Sequence, residues 1–215
     1  MSFRKCVLVF LSMLFCATPA LADDNQDHFE LTFGFMAGQR DYTTSSFAYQ
    51  EGDGSQSLTQ PFEQTPFDNL TVMGLRWELR GVISYVRMTM AFDLPFSSFR
   101  APDTTATYTV EGVESEVIVQ SVRPYDLRFG LGGEYSFGTV APYADLIGGL
   151  NWTDVDLTVG GQSVSYSSQT FNLSARAGLR VYLRDMFFIG VSGEAGILGN
   201  VTWSAGLTAG FATGS

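Results

Sequence analysis

An all-β fold of eight antiparallel strands, ordered as an up-and-down meander, is predicted by three features of the 215-residue sequence. Eight segments alternate apolar and polar residues at every second position. Glycines recur inside those segments and helix signals are few. Tight turns alternate with long polar connections between them.

Ahead of the first segment, MSFRKCVLVFLSMLFCATPALA has a basic start at Arg4 and Lys5 and an apolar run from Cys6 to Phe15. It closes on the small-x-small site Ala20-Leu21-Ala22 before Asp23-Asp24. This is the layout of a secretory signal peptide, expected over residues 1–22, with one domain over 23–215. The apolar run is short for a retained membrane anchor. Both cysteines and the single lysine leave with the leader, so the mature chain has no thiol and is expected to be held together without disulfides. Ten arginines against twenty-two acids then give a net charge of −12. That balance argues against a nucleic-acid partner. No later stretch approaches the ~18 consecutive apolar residues that a membrane helix needs.

The segments run Phe29 to Ala37, Thr71 to Leu79, Val82 to Phe92, Tyr125 to Phe137, Ala144 to Trp152, Phe171 to Leu183, Phe187 to Ile197 and Val201 to Phe211. In the sixth, FNLSARAGLRVYL, one parity is Phe171, Leu173, Ala175, Ala177, Leu179, Val181 and Leu183, and the other carries Arg176 and Arg180. Tight turns are expected at Arg80-Gly81, Gly138-Thr139-Val140 and Arg184-Asp185. Long stretches occupy 38–69, 93–124 and 153–170, and Gly199-Asn200 makes one further short link.

The two faces of these strands are chemically unlike. One parity contains no charged residue, whereas the other holds Glu30, Arg76, Glu78, Arg80, Arg87, Asp126, Arg128, Glu134, Asp145, Arg176, Arg180 and Glu194, six bases and six acids. Aromatics on the uncharged face divide into two groups. Phe29, Trp77, Tyr135, Phe187 and Phe211 fall toward the tight-turn ends, and Phe92, Tyr125, Trp152, Phe171 and Trp203 toward the long-loop ends. Two aromatic belts, short turns at one end and long loops at the other describe a transmembrane β-barrel with its turns in the periplasm. Alternation alone would also suit a soluble barrel with the faces exchanged, its tryptophans lining a ligand pocket.

Eight strands enclose a space just wide enough for side chains to fill. The twelve charged residues are therefore expected to pair across the lumen, because an uncompensated buried charge is costly. The network reads either as a structural polar core or as a gate for small ions. Glycines on the same face, among them Gly34, Gly74, Gly130, Gly132, Gly178 and Gly190, are expected to make room for long arginines.

This layout of charged lumen, eight strands and asymmetric connections resembles the small eight-stranded outer-membrane barrels, the OmpA transmembrane domain and OmpX-like group, over residues 23–215. The resemblance implies a cell outer-membrane location, a monomer, contact with lipid and lipopolysaccharide, and insertion by the barrel-assembly machinery. It departs from the group at the C-terminus, where Phe211 is followed by Ala-Thr-Gly-Ser, and in its short fourth outer loop.

A surface ligand or partner is expected at loops 41–68, 93–124 and 153–170. The first holds Phe47, Tyr49, Phe62 and Phe67 among five acids and no base. The second and third each read as two strands continuing beyond the membrane, the third turning at Gly160-Gly161. Asp154 and Asp156 are too few for a calcium site, and no metal or cofactor is expected. His28 is the single histidine, at the turn end of the first strand, where a solvated ring is the plain reading. An enzyme acting on lipid from the outer leaflet would need it at the opposite end. The expected role is structural or interactive (envelope integrity, adhesion or receptor use), with a narrow ion-conducting pore as the alternative.

Overall fold

The computed structural model describes residues 27–42, 48–50, 56–57, 69–96, 105–110, 113–184 and 187–213. The expected leader and the loop residues Phe47, Phe62 and Phe67 lie outside them, as does the side chain of Tyr49. Eight long strands form a closed antiparallel ring: β1 (His28–Asp41), β2 (Asn69–Ile83), β3 (Val86–Pro95), β4 (Val113–Glu134), β5 (Val140–Val159), β6 (Gln162–Arg184), β7 (Phe187–Leu198) and β8 (Val201–Thr213). Each pairs with the next in sequence, and β8 closes the ring on β1 through Phe29 opposite Thr213 to Arg40 opposite Val201. Among the described residues no helix is long and apolar enough to cross a membrane.

Closure decides which face is inside. Phe35, Leu131 and Leu207 are about 60 % exposed on the outer wall, while Arg180, Arg87 and Glu30 are fully buried within. Apolar side chains stand outside and charges inside, the reverse of a soluble barrel.

The first tight turn lies four residues beyond the expected Arg80-Gly81. Gly81 is ordinary strand, paired with both Met88 and Phe29, and the chain reverses at Ser84-Tyr85. Ser84 takes a left-handed φ of 57° there, and its N–H donates to Asp27 Oδ1 at 2.7 Å. The shift moves Trp77 along the wall. Trp77 stands opposite Phe92, not at the other belt, and its ring meets Phe33 edge-on at 5.6 Å. At the turn end Tyr85 takes the place expected for Trp77, stacking on Tyr135 at 5.8 Å, while Phe187 packs on Phe211 at 4.6 Å. Toward the loop end Tyr125 faces Trp152 across the β4–β5 pair, Phe171 faces Leu150, and Trp203 donates to Gln39. Of the other two expected tight turns, the reversal at Gly138-Thr139 stands where expected, with φ +64° at Gly138, and Asp185 of the other lies outside the described residues.

β4, β5 and β6 run well past the ring as a ribbon. A short strand, Thr105–Val110, pairs with the far end of β4, and Ala48–Gln50 pairs with Tyr166 and Ser167 of β6. Gly160 and Gly161 turn β5 into β6 with φ of 55° and 84°, the two positive angles that a type I′ hairpin requires.

Glycines clear space mostly for backbone rather than for arginines. A Cβ added at Gly34, Gly74 or Gly132 would overlap the carbonyl oxygen of Leu207, Leu94 or Ala144 on the neighbouring strand. At Gly178 it would run into the Tyr143 ring, and of the six glycines expected to make room only Gly190 has an arginine, Arg180, among its nearest neighbours.

Candidate functional site

Strand alternation delivers every second side chain of β1 to β8 to the lumen, and the register stacks them into layers. Nearest the loops, Arg40 of β1 pairs with Asp126 of β4 on the opposite wall. Asp126 also accepts Asn151 Nδ2 at 3.1 Å, and Asn151 Oδ1 accepts Thr153 at 2.7 Å and Asn200 at 3.0 Å. In the middle layer Arg76 forks onto Asp93 through Nε at 2.7 Å and Nη2 at 2.9 Å, the bidentate geometry that fixes both groups. Arg128 reaches Asp93 and also Glu194, which accepts Ser204 Oγ at 3.0 Å.

The lower layer is built round Tyr143. Its ring lies under the Arg87 guanidinium at 3.4 Å, with Arg180, Arg80 and Arg176 at 4.9, 5.6 and 5.8 Å. An aromatic face attracts such cations, more so away from water. Arg176 of β6 reaches Asp145 at 2.7 Å on its neighbour β5 and Glu78 on β2 across the ring. Glu78 also holds Arg80, and Arg87 lies 3.4 Å from Asp145 and 3.5 Å from Glu134. At the turn end Arg180 pairs with Glu30 and with Glu134 at 3.1 Å, and Tyr182 donates to Glu30 at 2.7 Å.

All twelve charged residues read from the sequence lie in this interior. Arg40, Asp93, Tyr143 and Tyr182 belong to it as well. Arg40 and Asp93 continue the charged parity of Glu30 and Arg87, and that continued parity was the available signal. They sit where the polar loops were expected to begin. Tyr143, one residue ahead of its expected segment, carried no charge to mark it. His28 is not the solvated ring expected: its side chain is 14 % exposed and packs edge-on against Tyr182 at 6.3 Å.

Above the polar layers the barrel changes character. Tyr42, Leu70, Val117, Val119, Val122, Val155, Leu157 and Tyr166 form one buried apolar cluster. It joins the tops of β1 and β2 to the ribbon on the opposite side. A bulge between Val119 and Ser121 on β4 makes this arrangement possible. Below it the inward positions are even, as in Asp126 and Arg128, and above it they are odd, as in Val117 and Val119. One inserted residue flips every later side chain to the other face. The ribbon's outer face is correspondingly polar: Asp156 accepts Ser121 at 2.7 Å, Ser165 at 2.9 Å and Arg123 at 2.6 Å. Burial would raise the Asp156 carboxyl pKa, but those hydroxyls and the Arg123 charge outweigh it and hold it below the ordinary aspartate value.

A closed ring of eight strands with an apolar outer wall and an ion-paired interior defines the fold of the small outer-membrane barrels. The chain is similar to Ail, the attachment invasion locus protein of Yersinia pestis, at 17 % identity and TM-score 0.51, covering 87 % of this chain and 99 % of that one. Ail in complex with the heparin analogue sucrose octasulfate matches at 16 % identity and TM-score 0.50, covering 87 % and 99 % of the two chains. Neisserial surface protein A (NspA) matches at 15 % identity and TM-score 0.51, covering 86 % and 96 %. No protein-family model and no curated protein matches the sequence.

Proposed function

We propose that this chain is a monomeric, non-enzymatic barrel of the bacterial outer membrane, closed to ions, that displays a β-ribbon to the exterior. The observation that carries the reading is the set of ion pairs spanning the lumen. Arg176 to Glu78, Arg40 to Asp126 and Arg128 to Glu194 each tie well-separated strands through the space a channel would need. The apolar cluster at the loop end is a second barrier, since its side chains offer a crossing ion no replacement for water. Residues 1–22 serve as the export signal, the assembly machinery inserts the barrel, and lipid and lipopolysaccharide surround its outer wall.

The ribbon is the interaction surface. Its partner is cationic: the first loop carries five acids and no base, and the chain is strongly acidic. A sulfated polysaccharide such as the heparin analogue bound by Ail would be repelled. Planar-bilayer recording tests the closed lumen. The refolded protein is expected to show no steady conductance, and Arg76→Ala, Arg87→Ala and Glu134→Ala are expected to leave that baseline unchanged. A steady open level that any of the three alters would establish the pore instead. For the surface, salt-sensitive binding of a basic peptide without binding of sucrose octasulfate is the expected pattern, and the reverse preference would overturn it.

A further inference from the structure

We propose that His28, Glu30, Glu134 and Tyr182 form a site for one divalent transition-metal ion of the zinc class at the turn-end mouth of the barrel. Strands β1, β4 and β6 bring these residues together, although they are far apart in the chain. One ligand atom from each of His28, Glu30 and Glu134 lies within 4.8 Å of the others. His28 Nε2 is 3.3 Å from Glu30 Oε1 and 4.0 Å from Glu134 Oε1. Tyr182 Oη completes a tetrahedron, at 2.7 Å from Glu30 Oε1, 3.3 Å from His28 Nε2 and 3.5 Å from Glu134 Oε1. Zinc bonds of 2.0–2.2 Å to nitrogen and oxygen place tetrahedral donors about 3.4 Å apart. The spacings therefore suit one small ion with side-chain adjustments alone.

The carboxylates are already oriented for this. Glu30 gives its Oε2 to Arg180 and Arg80, the latter at 3.5 Å, and keeps Oε1 toward His28. Glu134 gives its Oε2 to Arg180 at 3.1 Å and Arg87 at 3.5 Å, and aims Oε1 at the same point, with Arg180 Nη1 a further 3.5 Å from that oxygen. Metal sites use such outer partners to hold their ligands in place. An imidazole nitrogen with oxygen donors in a tight group favours zinc, cobalt or nickel over magnesium or calcium, which take six or more oxygens. Of the histidine and the two carboxylates, His28 is the least buried, so an ion enters past its ring. Three arginines, Arg80, Arg87 and Arg180, stand behind the carboxylates.

The test is a cobalt titration of the tag-free chain refolded in detergent, with folding checked by the difference in gel mobility before and after boiling. Saturation at one equivalent is expected, with the strong visible absorption of tetrahedral cobalt, abolished by excess zinc. His28→Gln is expected to lose the signal, and Tyr182→Phe to weaken binding by at least about tenfold. Absence of the absorption in the wild-type protein, or equal binding by folded His28→Gln, would overturn the site. Should His28→Gln not fold, carbethoxylation of the wild-type protein decides the matter, because the chain has a single histidine. Protection of that ring by saturating zinc supports the site, and full modification refutes it.

Discussion

Replacing Arg40 by methionine tests the lumen network where its consequences are easiest to isolate. Asp126 is fully buried, and Arg40 is its only ion-pair partner among the described residues. Its remaining bonds come from the neutral amides of Asn151 at 3.1 Å and Asn172 at 3.5 Å. Removing one member of a buried pair leaves an uncompensated charge and typically costs about 3–5 kcal/mol. Arg176→Met removes an equally buried guanidinium, yet its partners keep other cations: Asp145 retains Arg87 at 3.4 Å, and Glu78 retains Arg80. The expected order is therefore Arg40→Met well below Arg176→Met in stability. The double variant Arg40→Met/Asp126→Leu should recover most of the loss, since removing both charges of a buried pair is often neutral or stabilising. Urea unfolding in lipid vesicles, followed by tryptophan fluorescence, measures all four proteins. A loss under about 1 kcal/mol for Arg40→Met, the range of an exposed pair, would refute the reasoning. So would a double variant no more stable than the single one.

Further expectations concern the wall and the ribbon. Gly132→Ala places a methyl group against the Ala144 carbonyl and should prevent the β4–β5 pair from closing, read as loss of the heat-dependent gel shift. Leu157→Ala should cost about 2–5 kcal/mol within the apolar cluster. Because that cluster lies beyond the ring, protease should cut the ribbon while the barrel keeps its gel shift. The Asp156 carboxyl is held below its ordinary pKa, so its contribution is complete above the unfolded-state value near 3.9 and is lost as pH falls through the lower folded one. Amide exchange in the β5–β6 hairpin should accelerate below about pH 4 in the wild-type protein. In Asp156→Asn that pH dependence should disappear, and its persistence would assign the effect elsewhere.

Strand number and the chemical contrast between faces were legible because both are local. Side chains alternate along a strand regardless of where it packs, so Arg176 and Arg180 opposite Leu179 and Val181 announced two environments. The continuing ribbon was legible at Gly160-Gly161 for the same reason: two consecutive glycines meet the dihedral demand of a hairpin turn without reference to the rest of the chain. Trp77 shows where local reading stops. Its level in the wall depends on where the chain reverses, and Gly81, although flexible, is held extended by pairing on both sides while Ser84 turns.

By itself the sequence determined eight two-faced strands, a net acidic surface and an interior with as many arginines as carboxylates. Alternation is symmetric under exchange of faces, so the belts and the uneven connections gave the arginines' inward orientation as an expectation, and closure of the ring places Arg87 and Arg180 there. Only register decided which charges meet, Arg40 with Asp126 or Arg176 with Glu78, because those partners are separated by long stretches of chain and lie on different walls. The bulge beside Gln120 belongs to tertiary structure as well. One extra residue there turns the inward parity of β4 from Asp126 and Arg128 to Val117 and Val119.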